Sequence, residues 1–117
     1  MVQLYGIPNC DTVKKATGWL KENKIDYEFH DFKKESVSKE TVKHWLSMVP
    51  LDILINKKST AWKNFTADQQ LKASTKAGVV ELILLNTNFI KRPVLEFAGT
   101  ILCGFTIETY KKTFDKI

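Results

Sequence analysis

The chain has 117 residues, of which 44% are hydrophobic and 26% are charged, and its formal net charge is +5. This length and composition suit one hydrophobic core, and neither a signal peptide nor an apolar stretch of about 18 residues is present, so we expect one soluble, cytoplasmic domain over residues 1–117. Of the 18 basic residues only Arg92 is an arginine, which argues against nucleic-acid binding, since arginine makes the two-pronged contacts to phosphates and bases.

The first third of the chain predicts a strand, a helix and a second strand. Residues 2–5 alternate in polarity and are rich in β-forming side chains, and Gly6 and Pro8 then mark a turn. Apolar residues recur at helical spacing over residues 11–22 and predict a helix there. Aromatic and polar side chains alternate over residues 27–32, which is typical of a strand with one buried face.

The middle of the chain, residues 38–88, predicts helices. One helix ends at Pro50, and residues 66–70 have the composition of a capped helix start. The apolar run over residues 79–85 fits a helix or a strand by its periodicity, and we favour the helix.

The last third predicts two strands and a helix. Residues 94–97 and 100–104 have strand composition and are separated by a tight Ala98-Gly99 turn. Thr106 is a candidate cap for a last helix that runs to Phe114.

The order of predicted elements is therefore β-α-β, a helical middle, and β-β-α. This is the order of a thioredoxin-like α/β fold with an inserted helical subdomain. We assign residues 1–35 and 89–117 to the thioredoxin-like core and residues 36–88 to the insertion. Such a fold presents its reactive thiol at the first β-α turn.

Cys10 lies in that turn and is the candidate nucleophile. At the start of a helix, unpaired backbone N–H groups and the helix dipole stabilise a thiolate over a thiol. Lys14 and Thr12 favour the charged form, and Asp11 opposes it. The alternative is a small buried cysteine without reactivity, which is the interpretation we give to Cys103 in its apolar strand.

Residue 13 is a valine, so Cys10 has no resolving cysteine three positions on. We expect a monothiol cycle in which glutathione or a glutaredoxin-type dithiol resolves the adduct. Cys103 is an alternative resolving thiol only if its strand face points at Cys10. No Cys-x-x-Cys or Cys/His spacing suits a metal, so none is expected.

The Arg92-Pro93 pair is a second candidate site. Proline before a β-rich run makes a cis bond plausible, and Arg92 then offers a planar fork to an oxyanion or carboxylate near the thiolate. The alternative is an ordinary loop arginine. His30 and His44 are each far in sequence from other candidate catalytic residues, and we interpret both as surface or edge histidines.

Three stretches, LYGIPNCDTVKKA, YEFHDFKK and FIKRPVLEF, followed by Gly104-Phe105, together resemble the ArsC/Spx family over essentially the whole chain, and its YffB-like branch in particular. The resemblance implies the fold described above. It matches Cys10, Lys14 and Arg92 to functional positions of arsenate reductases that depend on glutathione and glutaredoxin.

Other positions depart from those reductases. Gly6 stands where they have a histidine, and their further oxyanion arginines are missing near Asn56 or Lys57 and near Gly104. In the Spx branch, regulators bind RNA polymerase and sense oxidation through a Cys-x-x-Cys switch, which Val13 removes here. The YffB-like branch implies a glutathione-dependent thiol reductase.

The sequence therefore predicts a monomeric, monothiol thiol-disulfide oxidoreductase that uses glutathione as co-substrate, holds no bound cofactor and has a glutaredoxin as a possible partner. The predicted catalytic residues are Cys10 and Arg92. The predicted substrate or glutathione contacts are Asn9, Asp11, Thr12, Lys14, Lys57 and Pro93. The alternatives are an arsenate reductase and an Spx-like regulator that binds RNA polymerase without catalysis.

Overall fold

The computed structural model describes residues 1–115 and contains two compact units. The sheet unit consists of Met1–Glu35 and the chain from Arg92 onward, and the helical unit consists of Ser36–Lys91. Within the described residues the helices are α1 (Asp11–Glu22), α2 (Lys39–Met48), α3 (Leu51–Leu54), α4 (Thr60–Asn64), α5 (Ala67–Leu71), α6 (Lys76–Leu85) and α7 (Ile107–Phe114). Short 3-10 helices cover Lys72–Ser74 and Thr87–Phe89.

The sheet unit contains a mixed four-stranded sheet. Its strands are β1 (Val2–Gly6), β2 (Tyr27–Asp31), β3 (Val94–Phe97) and β4 (Thr100–Cys103). The spatial order is β2-β1-β3-β4, with β1 parallel to β2, and with β3 antiparallel to both β1 and β4. This confirms the predicted thioredoxin-like α/β arrangement.

One face of this sheet carries the core of the sheet unit. Val2 and Leu4 alternate with partly exposed residues and are fully buried, as period-2 patterning requires. They pack with α1 and α7 in one cluster that includes Leu20 and Tyr110. Each large apolar side chain buried there contributes about 1.5–3 kcal/mol.

The β3–β4 turn has the geometry that its sequence predicts. Ala98 and Gly99 have φ values of 49° and 80°, so both lie in the left-handed region. This is the backbone of a two-residue hairpin that matches the right-handed twist of its strands. A β-carbon at Ala98 makes that residue the strained half of the turn.

Helices of the helical unit begin at residues that cap them. Ser38 accepts a hydrogen bond from the Thr41 N–H, and Thr66 forms a reciprocal capping box with Gln69. The apolar run over residues 79–85 is helical, in α6. A short β-bridge between Ile55 and Ile90 interrupts the predicted run of helices.

Gly78 allows α6 to begin close against the preceding 3-10 helix. A β-carbon added at Gly78 would lie 1.8 Å from the backbone oxygen of Lys72. No side chain fits there without moving the backbone. Within residues 1–115, no helix is long and apolar enough to cross a membrane.

Candidate functional site: the turn between β1 and α1

Cys10 is the N-cap residue of α1. Its backbone is extended, with φ −93° and ψ 127°, and its carbonyl accepts a hydrogen bond from the Lys14 N–H at 2.9 Å. Its own N–H donates to the Ile7 carbonyl at 3.4 Å, which closes the turn. The predicted position of Cys10 at the start of a helix is therefore confirmed.

The side chain of Cys10 is partly exposed and makes no capping hydrogen bond among the described residues. The first N–H groups of α1 therefore have no side-chain acceptor from the N-cap, and the positive end of the helix dipole lies at the residue that carries the thiol. Asp11 is exposed in the first turn and adds a negative charge there. The arrangement leaves the Cys10 residue within reach of a molecule from solvent.

Gly6 lets three parts of the sheet unit approach one another. A β-carbon at Gly6 would lie 2.8 Å from Val13 Cγ2 and 3.8 Å from Pro93 Cβ. The end of β1 thus touches the first turn of α1 and the segment before β3. A histidine at position 6, which the resemblance implies for arsenate reductases, would require Val13 to move.

The Arg92-Pro93 peptide bond is cis, as predicted. Pro93 is buried and its carbonyl accepts the Gly104 N–H at 2.9 Å. Val94 then pairs with Tyr5, next to Gly6 at the end of β1. Arg92 and Pro93 therefore lie at the same end of the sheet as the turn that carries Cys10.

Cys103 is also at this end of the sheet, because it pairs with Val94 in the β3–β4 ladder. It is partly exposed, so our interpretation of it as a buried residue was wrong. Leu102 packs into the core, and alternation along the strand turns Cys103 to the opposite face. Within residues 1–115 neither cysteine forms a disulfide.

The segment that follows β2 lies beside the Cys10 turn. The Phe32 N–H donates to the Gly6 carbonyl at 2.8 Å, and Lys33 Nζ donates to Asn9 Oδ1 at 3.5 Å. Asn9 directly precedes Cys10, so the ammonium of the exposed Lys33 contacts a residue of this turn. No pattern in the sequence points to Lys33 as a site residue.

The structure divides the predicted site residues between the two units. The residues in the sheet unit are Asn9, Cys10, Asp11, Thr12, Lys14, Arg92 and Pro93. Lys57 belongs to the helical unit, where its Nζ lies 5.2 Å from the centroid of the Trp62 ring. There it lines a cavity of about 710 Å³ with two other lysines, Lys58 and Lys91.

His30 lies on β2, an edge strand of the sheet, as interpreted, and it is also part of a polar cluster that its sequence position did not indicate. Its side chain is 19% exposed; Nδ1 lies 3.0 Å from Glu35 Oε2 and Nε2 lies 2.6 Å from Gln3 Oε1. Its ring stacks on Tyr5 with 4.5 Å between centroids. The parallel β1–β2 register, in which Tyr5 lies opposite His30, causes this contact.

Tyr5 itself is perturbed by this environment. Burial raises the pKa of its phenol to about 12, and the neighbouring Glu96 carboxylate, which accepts a hydrogen bond from it, adds to the rise. The phenol is therefore a hydrogen-bond donor at neutral pH and not an anion.

The sequence profile of the ArsC family matches residues 5–113. The chain belongs to the ArsC family. The solved structure of the YFFB protein is similar, with a TM-score of 0.89 and 37% identity over 96% of this chain and 97% of that chain. A solved arsenate reductase (ArsC) related protein from Brucella melitensis has a TM-score of 0.73 and 41% identity over 97% of this chain and 93% of that chain.

Regulators are also among the relatives of this ArsC family chain. The global transcriptional regulator Spx of Listeria innocua is 30% identical over 114 residues, which is 96% of this chain and 86% of that protein. The relatives thus include both a protein related to arsenate reductase and a transcriptional regulator, and the site chemistry has to decide between the two functions.

Proposed function

We propose that this ArsC family protein is a monothiol, glutathione-dependent thiol-disulfide oxidoreductase with Cys10 as its nucleophile. The observation that carries the proposal is the position of Cys10 at the N-cap of α1, where the residue is partly exposed and its side chain caps no helix N–H among the described residues. A thiol in this position has the helix dipole to stabilise its thiolate and open access to a disulfide.

The reaction is an exchange in two steps. The Cys10 thiolate attacks the glutathione sulfur of a mixed disulfide, the substrate leaves as a thiolate, and a Cys10–glutathione disulfide forms. A glutathione thiolate then attacks the glutathione sulfur of that disulfide, which releases the Cys10 thiolate and forms oxidised glutathione. Val13 provides no second thiol in the turn, so external glutathione or a glutaredoxin completes the cycle.

The residues around Cys10 are proposed to bind glutathione. Arg92 offers a planar fork to a glutathione carboxylate, and Lys14, one helical turn after Cys10, adds a positive charge. Backbone and side-chain groups of Asn9, Asp11, Thr12 and Pro93 are the further contacts proposed here. Lys57, in the helical unit, stays a predicted glutathione contact. The cytoplasm, where thiols are kept reduced, is the compartment in which this cycle is expected to run.

Replacement of each cysteine tests the mechanism. We expect Cys10→Ser to lower the rate of glutathione-coupled disulfide reduction at least about a hundredfold, because the nucleophile is lost. Cys103→Ser is the matched control and should keep most of the activity. Retained activity in the Cys10→Ser variant would show that Cys10 is not the nucleophile.

A regulator that binds RNA polymerase is the second candidate, favoured by the 30% identity with Spx over most of the chain. A pull-down of RNA polymerase with the wild type and with Cys10→Ser separates the two. Binding that survives the substitution, in a protein without disulfide reductase activity, would favour the regulator.

Arsenate reduction is tested with the same purified protein, glutathione and a glutaredoxin. The tight fit at Gly6 and the presence of one arginine in the whole sequence disfavour an arsenate pocket of the kind the resemblance implies. We expect no arsenate-dependent oxidation of glutathione. A clear rate of arsenate reduction would mean that the substrate is an oxyanion and not a disulfide.

A further inference from the structure

The segment Asp31–Glu35 brings a positive charge to the Cys10 turn from outside α1. Lys33 Nζ donates to Asn9 Oδ1 at 3.5 Å, and Asn9 is the residue directly before Cys10. Lys14 lies on α1 itself, so Lys33 is a second, independent source of positive charge on the proposed approach to the sulfur.

This segment is fixed by hydrogen bonds at both ends. The Phe32 N–H donates to the Gly6 carbonyl, the last residue of β1, at 2.8 Å. The Lys33 N–H donates to Asp31 Oδ1 at 2.8 Å, and Glu35 Oε2 lies 3.0 Å from His30 Nδ1. The backbone that carries Lys33 is thereby tied to β1 and β2, and the lysine has only its own side-chain freedom.

We infer that Lys33 is a specificity-determining residue that selects anionic thiols and disulfides for reaction with Cys10. The inference rests on the proposed function, since it concerns the substrate class of the same site. A substrate carboxylate that replaces the Asn9 oxygen as the partner of the Lys33 ammonium would gain a charge-assisted hydrogen bond beside the residue that precedes Cys10. Cationic disulfides would instead be repelled.

Lys34 provides the matched control. It is the next residue, it is exposed, and it carries the same charge, but its described hydrogen bond is from its N–H to the Asp31 carbonyl and leaves its ammonium out. Lys33→Gln and Lys34→Gln therefore lower the net charge by the same amount. Only Lys33→Gln removes a charge that contacts Asn9.

The first experiment compares alkylation of Cys10 by iodoacetate and by iodoacetamide, in the full chain with Cys103→Ala as background. The ratio of the two rates cancels changes in thiolate reactivity and reports the charge felt by an incoming anion. We expect Lys33→Gln to lower the iodoacetate-to-iodoacetamide ratio about threefold, and Lys34→Gln to lower it much less. Equal ratios in the two variants would overturn the inference.

The second experiment follows reaction of the same variants with oxidised glutathione, which carries net negative charge, and with cystamine, which is cationic. Lys33→Gln should slow the first reaction and leave the second unchanged or faster. If the wild type reacts with neither disulfide, the proposed function fails, while the alkylation ratio still tests the charge. If the wild type reacts and Lys33→Gln slows both disulfides equally, Lys33 does not select for charge.

Discussion

Tyr110 shows how one atom can lower the stability of an otherwise apolar core. Its side chain is fully buried, and its hydroxyl oxygen has no hydrogen-bond partner among the described residues. Trp19 and Phe105 pack edge-to-face with its ring, so the ring is well placed while its polar atom is not satisfied.

We therefore predict that Tyr110→Phe raises the free energy of unfolding by about 1 kcal/mol, because the substitution removes a buried, unsatisfied hydroxyl and keeps the ring. Urea unfolding measures this as a higher midpoint with an unchanged slope. A lower midpoint would mean that the hydroxyl is satisfied in solution.

Tyr5 gives a prediction for alkaline pH. Its phenol has a folded-state pKa of about 12, raised first by burial and then by Glu96, against 10.0 for an unperturbed tyrosine. The folded state thus holds this proton more tightly than the unfolded state. The contribution of the protonated Tyr5 phenol to the free energy of unfolding is therefore complete below pH 10 and is lost as the pH rises to about 12. We expect stability to fall less steeply over this range in Tyr5→Phe than in the wild type, as measured by urea unfolding at each pH.

At the scale of the element, two helical glycines predict opposite outcomes for the same substitution. Gly18 lies inside α1, and apart from its chain neighbours and the nearby backbone of α1, a β-carbon there would meet no described atom within 4 Å. Gly18→Ala should stabilise the protein by about 0.5–1 kcal/mol, because alanine loses less backbone entropy in a helix.

Gly78→Ala should instead destabilise the protein by about 1–3 kcal/mol, because the new β-carbon would meet the Lys72 carbonyl of the preceding 3-10 helix. Thermal unfolding of the two variants beside the wild type measures both effects. A stabilised Gly78→Ala protein would mean that α6 can shift away from Lys72 at little cost.

Local signals in the sequence were enough to predict most of the helices and strands. Thr66 and Thr106 accept hydrogen bonds from the N–H groups three residues on, as expected of N-cap residues, and α1 has the predicted bounds. The site was less predictable, because it depends on register and on chain reversal. His30 meets Tyr5 only through the β1–β2 register, and Lys33 reaches Asn9 because Phe32 bonds to the end of β1.

One local signal for the Lys33 segment was available. The carboxylate of Asp31 accepts a hydrogen bond from the Lys33 N–H. Aspartate side chains commonly bond the backbone N–H two residues further on, and this bond forms a turn. This signal predicts that the chain reverses after β2, but it does not specify what the Lys33 side chain contacts after the reversal.

At the scale of the whole molecule, the sheet unit is assembled from the two ends of the chain. β1 pairs with β3 through residues about ninety positions apart, such as Leu4 and Leu95, while the helical unit is continuous in sequence. A sheet built this way depends on contacts between distant residues and cannot form from the N-terminal segment alone.

A chain that ends at residue 91 keeps β1, α1 and β2 but lacks β3, β4 and α7. We predict that Cys10 in this fragment reacts with iodoacetamide at one rate with and without urea, because no folded turn exists to alter its reactivity. The full-length chain is the control and should show different rates in the two conditions. A urea-sensitive rate in the fragment would mean that the first β-α-β segment folds alone.

The N-cap of α1 carries a further consequence. Cysteine occupies a position where serine, threonine, aspartate or asparagine would close the helix with a side-chain hydrogen bond, and no such bond is found within the described residues. A serine at residue 10 can make it. The Cys10→Ser protein should therefore melt a few degrees above the wild type in a calorimetric scan. On this prediction the thiol costs α1 part of its stability, and the variant with a closed helix end is one that lacks the proposed nucleophile.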